Sequence, residues 1–272
     1  MKSNLLKFLL SVAVVLGFSA CSDDKKAEAQ AKEEASKIIR IGATPIPHVE
    51  ILEQVKPILA KAGYTLEIKE FTDYVTPNIA VNEGDLDANF FQHAPYLDEF
   101  NKNKNTDLVK TVNVHLEPMG VYSIKIKSLD ELKDGDSIAV PNDPTNESRA
   151  LDVLEKAGVM KFADKALKTK IDIIENPKNI VLKEIDAPQL PRVLDDVAAA
   201  VINTNYALSA DLNPTKDALE LESINSPYAN IVVVRKGNEN SEAIKALNKA
   251  INSEEIRAFI KEKYNGAIIP AF

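Results

Sequence analysis

Arg149 closes the run Asn142-Asp143-Pro144-Thr145-Asn146-Glu147-Ser148, and this order of residues reads as a helix start aimed at an anion. Asp143 suits an N-cap and Pro144 the first helical position, where its missing N–H costs nothing. Asn146 and Arg149 are three residues apart and share a face of the first turn. Free N–H groups at a helix N-terminus and a guanidinium fork can converge on one carboxylate. An ordinary ion pair of Arg149 accounts for the same residues, and the motif alone leaves both readings open.

Three further groups fall where strands give way to helices. In Asp87 to Leu97, a buried strand ends near Phe91 and Pro95 marks a helix start, so Phe91, His93 and Tyr96 cluster at the junction. Tyr74 precedes Pro77-Asn78. Asn203-Thr204-Asn205-Tyr206 follows the apolar strand Val197 to Ile202, and Asn230 enters a strand after Pro227-Tyr228. In open α/β sheets, ligands bind at the carboxyl ends of strands. Each group taken singly also fits a bland role, as core aromatics or as asparagines in turns. Together they describe one ligand. Arg149 and Asn146 hold a carboxylate, and the side-chain carbonyls of Asn205 and Asn230 accept from an ammonium. Tyr74, Phe91, His93 and Tyr96 enclose an apolar or thioether side chain.

The elements that must position these groups alternate. Strands are expected at Ile38 to Gly42, Tyr64 to Phe71 and Asp87 to Phe91, with helices at Pro47 to Ala62, Asn78 to Gly84 and His93 to Asn103. This rhythm predicts an α/β fold with mostly parallel sheets. Leu108 to Ile124 reads as one strand crossing into a second lobe. There, Ser137 to Val140, Lys170 to Ile174, Val181 to Ile185 and Val197 to Ile202 are expected strands, with helices at Pro144 to Ala157, Pro188 to Leu194 and 203–212. A strand at Ile231 to Val234 and a helical region from Asn240 to Tyr264 follow. The latter breaks near Asn252, with Asn240 and Ser253 as caps. The expected organisation is residues 38–118 with 228–272 in lobe one and 119–227 in lobe two, joined by two hinge crossings with a cleft between them.

The N-terminus reads as processing signal. Residues 1–20 carry Lys2 and Lys7, an apolar run and a small-residue cleavage site before Cys21. Cys21 is the sole cysteine, which rules out an internal disulfide. After a signal peptide it resembles a bacterial lipobox, with Phe18 where leucine is most common, so lipidation at Cys21 is expected. Residues 21–37 lack aromatic residues and an apolar face, and read as a flexible tether. The expected location is the bacterial cell envelope, anchored by lipid to a membrane and facing the periplasm or the exterior. A formal net charge of −8, without a basic cluster, argues against nucleic acid.

Little points to catalysis. No two glycines lie within two positions of each other, so a phosphate cradle has no candidate. A Gly-x-Ser-x-Gly elbow is absent. The three histidines, His48, His93 and His115, lack short metal-ligand spacing. We expect neither metal nor cofactor, and no enzyme. The readings of a different class are a cleft enzyme using His93 as a base and a surface lipoprotein serving adhesion or scaffolding.

Phe71-Thr72-Asp73-Tyr74, Asn89 to Leu97, Pro141 to Asn146, Arg149-Ala150-Leu151, Ile202 to Ala207 and Ser226 to Asn230 together resemble the NlpA/MetQ-type methionine-binding lipoproteins, in the same order, from about Ile38 to Phe272. The resemblance implies a two-lobe periplasmic-binding-protein fold of the two-crossover type. It implies capture of methionine, the L form first, for delivery to the permease and ATPase of an ABC importer. Some members of the family take a methionine-containing dipeptide or another amino acid. Carried over by motif, Tyr74, Phe91, His93 and Tyr96 surround the side chain, Arg149 and Asn146 take the carboxylate, and Asn205 and Asn230 take the polar end. Asn203 shares the Asn205 motif, and which of the two faces the ligand stays open. Asp211 stands where relatives commonly have glycine.

Overall fold

The computed structural model describes residues 37–272; the signal peptide, Cys21 and all but the last residue of the tether lie outside the described residues. In chain order the elements are β1 (Ile38–Ala43), α1 (Glu50–Lys61), β2 (Thr65–Glu70), α2 (Thr76–Glu83), β3 (Ala88–His93), α3 (Ala94–Lys104) and β4 (Leu108–Leu116). Then come β5 (Gly120–Tyr122), β6 (Ser137–Pro141), α4 (Pro144–Lys156), β7 (Lys161–Phe162), β8 (Ile173–Glu175), β9 (Val181–Ile185), β10 (Ala199–Ile202), α5 (Thr204–Ser209), α6 (Pro214–Asp217) and β11 (Glu220–Leu221). The chain ends with β12 (Ala229–Arg235), α7 (Glu242–Ile251), α8 (Glu254–Tyr264) and β13 (Ile269–Pro270).

Two main sheets form, in the orders β13-β4-β12-β3-β1-β2 and β11-β5-β10-β6-β9, and β7 pairs with β8 beside them. Both are mixed, which corrects the expectation of mostly parallel sheets. The parallel pairs are β1 with β2, β1 with β3, β6 with β9 and β6 with β10. The first two of these are linked through α1 and α2, as parallel crossovers require. β12, arriving from far along the chain, instead inserts antiparallel between β3 and β4. The span Leu108 to Ile124 is two strands rather than one. Between them Glu117-Pro118-Met119 carries the chain from one sheet to the other, where Pro118 has no N–H to give to a ladder. The return runs between β11 and β12.

The first core lies between the six-stranded sheet and helices α1, α7 and α8. Ile244, Leu247 and Ile251 form the buried stripe of α7, and Ile256 and Ile260 that of α8. The expected break holds at Asn252-Ser253, where Ser253 Oγ accepts from the Ile256 N–H; the cap at the other end is Ser241, not Asn240. The second core packs Val121, Ile138, Val140 and Val201 under Leu151 and Leu154 of α4. β3 is buried along its whole length. Its Asn89 and Gln92 meet Asn78 of α2 in a buried amide triad, with Asn89 Nδ2 donating to Asn78 Oδ1 at 2.8 Å and Gln92 Nε2 to Asn89 Oδ1 at 2.9 Å. Satisfied in this way, the amides fix β3 against α2 without leaving buried polar atoms exposed to apolar surroundings. Asp211 sits at φ 60°, in the left-handed region where glycine is unstrained.

Gly42 of β1 lets Phe71 and Leu86 close over the strand; a Cβ there would sit 2.7 Å from Leu86 Cδ1 and 2.8 Å from Phe71 Cε2. Gly42→Ala is expected to lower stability by about 1–3 kcal/mol through overpacking, read as a lower midpoint of thermal unfolding.

Candidate functional site

At the end of β3 the extended strand turns into α3 at His93, which caps the helix: its Nδ1 accepts from the Tyr96 N–H at 3.2 Å. With Nδ1 an acceptor, the ring proton sits on Nε2 and points to Asn146 Oδ1 at 3.3 Å. Asn230 of β12 lies in register between His93 of β3 and His115 of β4, so one row across three strands places three polar side chains at this sheet edge. The facing wall is the N-terminus of α4 and the loop from β10 into α5. Asp143 caps α4, accepting from the Asn146 backbone N–H at 3.0 Å.

These elements enclose a cavity of no more than about 340 Å³, lined by Tyr74, Phe91, His93, Tyr96, Asn146, Arg149, Asn205 and Asn230. Gln92, Glu117, Asn203 and Thr204 complete the lining. All eight residues singled out by sequence therefore meet around one space. One end is aromatic: Tyr74 stacks on Phe91 with centroids 5.8 Å apart, and Tyr96 meets Phe91 edge-on at 6.1 Å. Tyr74 O–H reaches across the cleft and donates to Asn205 Oδ1 at 2.6 Å, and Tyr206 O–H donates to the Thr72 carbonyl at 3.1 Å.

The other end is charged. Arg149 is 3 % exposed and its guanidinium is fully oriented. Nε and Nη2 donate to the Glu222 carboxylate at 3.0 and 2.5 Å, and Nη2 also donates to the Glu117 carbonyl at 2.6 Å. The Tyr228 ring lies 4.4 Å beneath Cζ. The ion-pair reading of Arg149 is thus realised, but buried, and Nη1 keeps no hydrogen-bond partner among the described residues. Asn146 differs from expectation: Nδ2 is held by both oxygens of Asp143 at 3.0 and 2.9 Å, and Oδ1 accepts from Asn203 Nδ2 at 2.8 Å. The carbonyls of Asn205 and Asn230, expected to accept from an ammonium, are likewise engaged, by Tyr74 O–H and by His48 Nε2 at 3.0 Å. Asn203 and Asn205 both line the cavity, and Asn203 Oδ1 is buried without a partner.

Sequence reading missed Glu117, Glu222, His48 and His115. His115 and Glu117 are two apart at the end of a strand, a spacing that puts both on one face. His48 comes from a turn before α1 and had no local signal. Together the ring nitrogens of His48 and His115 and the Glu117 carboxylate fall within 4.8 Å of one another. Burial holds all three histidines neutral: the pKa is near 4 for His48 and near 3 for His93 and His115, with the Arg149 charge adding to the effect on His93. Burial moves Glu117 and Asp143 the other way, above the usual carboxylate range.

The fold and this cavity define a two-lobe binding protein of the periplasmic type. The NlpA lipoprotein family model matches residues 39–272, and the chain belongs to that family. It is 47 % identical over 271 residues, 98 % of each chain, to the protein named Outer membrane lipoprotein 3 of Mannheimia haemolytica. A solved structure of a nutrient binding protein from Burkholderia cenocepacia bound to methionine superposes with a TM-score of 0.84 at 47 % identity, covering 86 % of this chain and all of that one. A second, an ABC transporter periplasmic substrate-binding protein from Coxiella burnetii, gives 0.83 at 42 % identity over 86 % of this chain and 100 % of its own. No helix among the described residues is long and apolar enough to cross a membrane.

Because a histidine unfolded titrates near 6.5 and these three titrate near 4 or 3 when folded, the unfolded chain gains protons first as pH falls. Their contribution to stability is whole above about pH 6.5 and is lost through the window below it, while the raised carboxylates act in the opposite sense. The melting midpoint is expected to drop between pH 7 and pH 5. His93→Asn, which keeps a capping acceptor but removes one titrating ring, should show a shallower drop.

Proposed function

We propose that this lipoprotein is the substrate-binding component of an ABC importer and that it captures methionine, the L form first, between its lobes. The observation that carries this reading is the polarity of a single cavity, with the rings of Tyr74, Phe91 and Tyr96 at one end and the oriented guanidinium of Arg149 at the other. A thioether side chain packs well against aromatic rings, and Nη1 of Arg149 offers donors to a carboxylate. Kinship with a methionine-bound nutrient binding protein and with an ABC substrate-binding protein supports the same ligand and the same role.

In this reading residues 38–118 with 228–272 form lobe one and 119–227 lobe two. Tyr74, Phe91, His93 and Tyr96 surround the side chain, Arg149 takes the carboxylate with Asn146 as its scaffold, and Asn205 and Asn230 shape the polar end. The protein binds and releases without chemical turnover. Cys21 carries the lipid that holds it at the membrane, and the partners are the importer's permease and ATPase subunits.

Mass spectrometry of the molecule released on denaturing tether-free protein, followed by calorimetry, tests the ligand. Methionine is expected. A methionine-containing dipeptide or another amino acid would change the substrate and keep the mechanism, and no ligand with no binding heat would favour a scaffold role. Arg149→Ala and Asn230→Ala should each weaken methionine binding by about a hundredfold or more. Arg149→Lys keeps a charge opposite Glu222 yet loses the fork, so it should remain folded and still bind weakly.

A further inference from the structure

Tyr228 stands outside the lining of the ligand cavity, yet its ring is held between two residues that do line it. On one side the ring centroid lies 4.4 Å from Cζ of Arg149. On the other the His93 ring meets it edge to face, with centroids 4.9 Å apart and planes at 67°. The half-buried tyrosine borders instead a separate groove, shared with Asp152, Lys156 and Ser226.

These contacts close a circuit. Asn146 and Arg149 share one face of the first turns of α4. His93 reaches Asn146 at 3.3 Å, and Tyr228 covers Arg149. His93 ends β3, and Asn230 of the adjacent β12 lies in register with it, which brings Tyr228, one residue before β12, up to the His93 ring. The circuit Arg149–Tyr228–His93–Asn146 therefore crosses twice between the six-stranded sheet and α4. It joins the charged end of the cavity to the aromatic end from behind.

What the ring adds follows from the shape of a guanidinium. Glu222 grips Nε and Nη2, and the Glu117 carbonyl takes Nη2 as well. Hydrogen bonds of this kind run close to the guanidinium plane and fix the group within it. They resist tilting out of that plane less well. A ring face beneath Cζ blocks the tilt on one side and attracts the cation. Ser226 ties the two restraints together: its hydroxyl donates to Glu222 Oε1 at 3.2 Å and accepts from the Tyr228 N–H at 3.3 Å. Pro227 between them has a fixed φ. Glu222 and Tyr228 thus reach Arg149 from one short, internally bonded strap.

We propose that Tyr228 is a positioning residue for the ligand's carboxylate: its ring sets the tilt of the Arg149 guanidinium, so that Nη1 is aimed into the cavity, and couples that tilt to His93. This rests on the reading in which Arg149 takes a carboxylate. The ring is the working part, since the polar group of Tyr228 bonded within the strap is its backbone N–H.

The test measures methionine affinity and release for wild type, Tyr228→Phe and Tyr228→Leu, and for Tyr228→Leu combined with Arg149→Lys. Tyr228→Phe keeps the ring and is expected to match wild type. Tyr228→Leu should bind about tenfold more weakly, with the loss in the release rate. Beside Arg149→Lys, which has no planar fork to hold, Tyr228→Leu should cost little more. In nitrogen–proton NMR spectra of ligand-free protein, the Arg149 Nε–H signal is identified by its absence from Arg149→Lys. The ring should shift it upfield in wild type and Tyr228→Phe, and Tyr228→Leu should return it towards the other arginines. Wild-type affinity in Tyr228→Leu overturns the proposal. So does a Tyr228→Phe that falls as far as Tyr228→Leu, or a loss that persists in full beside Arg149→Lys. An unshifted wild-type signal overturns it too, and that measurement decides even if Tyr228→Leu does not fold. A shifted signal in a wild type that binds no methionine overturns the ligand reading instead, and an unshifted signal with tight binding overturns this proposal alone.

Discussion

A guanidinium buried as deeply as that of Arg149 must be paired, since one left alone in the interior would cost far more than the fold can supply. The pairing groups all come from the two segments where the chain passes between sheets. Glu117 offers its carbonyl from the outward crossing, and Glu222 and Tyr228 offer a carboxylate and a ring from the return. One side chain on α4 therefore fastens both hinges to the second lobe. The arrangement is also why the cavity has a fixed floor: the hinges are irregular, yet each carries an atom whose place is set by Arg149.

Around that anchor the polar groups form chains rather than isolated pairs. Asp143 holds Asn146, Asn146 receives Asn203 and His93, and His93 in turn caps α3. Thr44 meets His48, which contacts both Asn230 and Glu117. Networks of this kind rigidify a site when every member is satisfied. Here the unserved atoms lie on the cavity side, at Asn203 Oδ1, or directly behind it, at His115 Nδ1.

Much of this was legible in the sequence because strand–helix junctions carry local signals. Pro95 and Pro144 mark helix starts, and the aromatic and amide residues beside them fell where sheet edges were expected. Legibility stopped where partners are distant along the chain. Nothing near Ile231 to Val234 announces that β12 runs antiparallel between β3 and β4, so the mixed sheets were hidden. Asn146 reads as a free amide until Asp143 folds back on it. Glu222 lies in a polar stretch that gives no hint of a buried partner, and His48 becomes meaningful only once β4 brings Glu117 to it.

The two tyrosine hydroxyls that bridge the cleft have a kinetic meaning. Tyr74 to Asn205 and Tyr206 to Thr72 are neutral hydrogen bonds made entirely by the protein, before any ligand contributes. At about 1 kcal/mol each, they tilt the balance between shut and gaping forms by roughly thirtyfold. For a ligand that enters only when the lobes part, both bonds must break first. Were that opening slow, loading at high ligand concentration would cease to depend on concentration and settle at the opening rate.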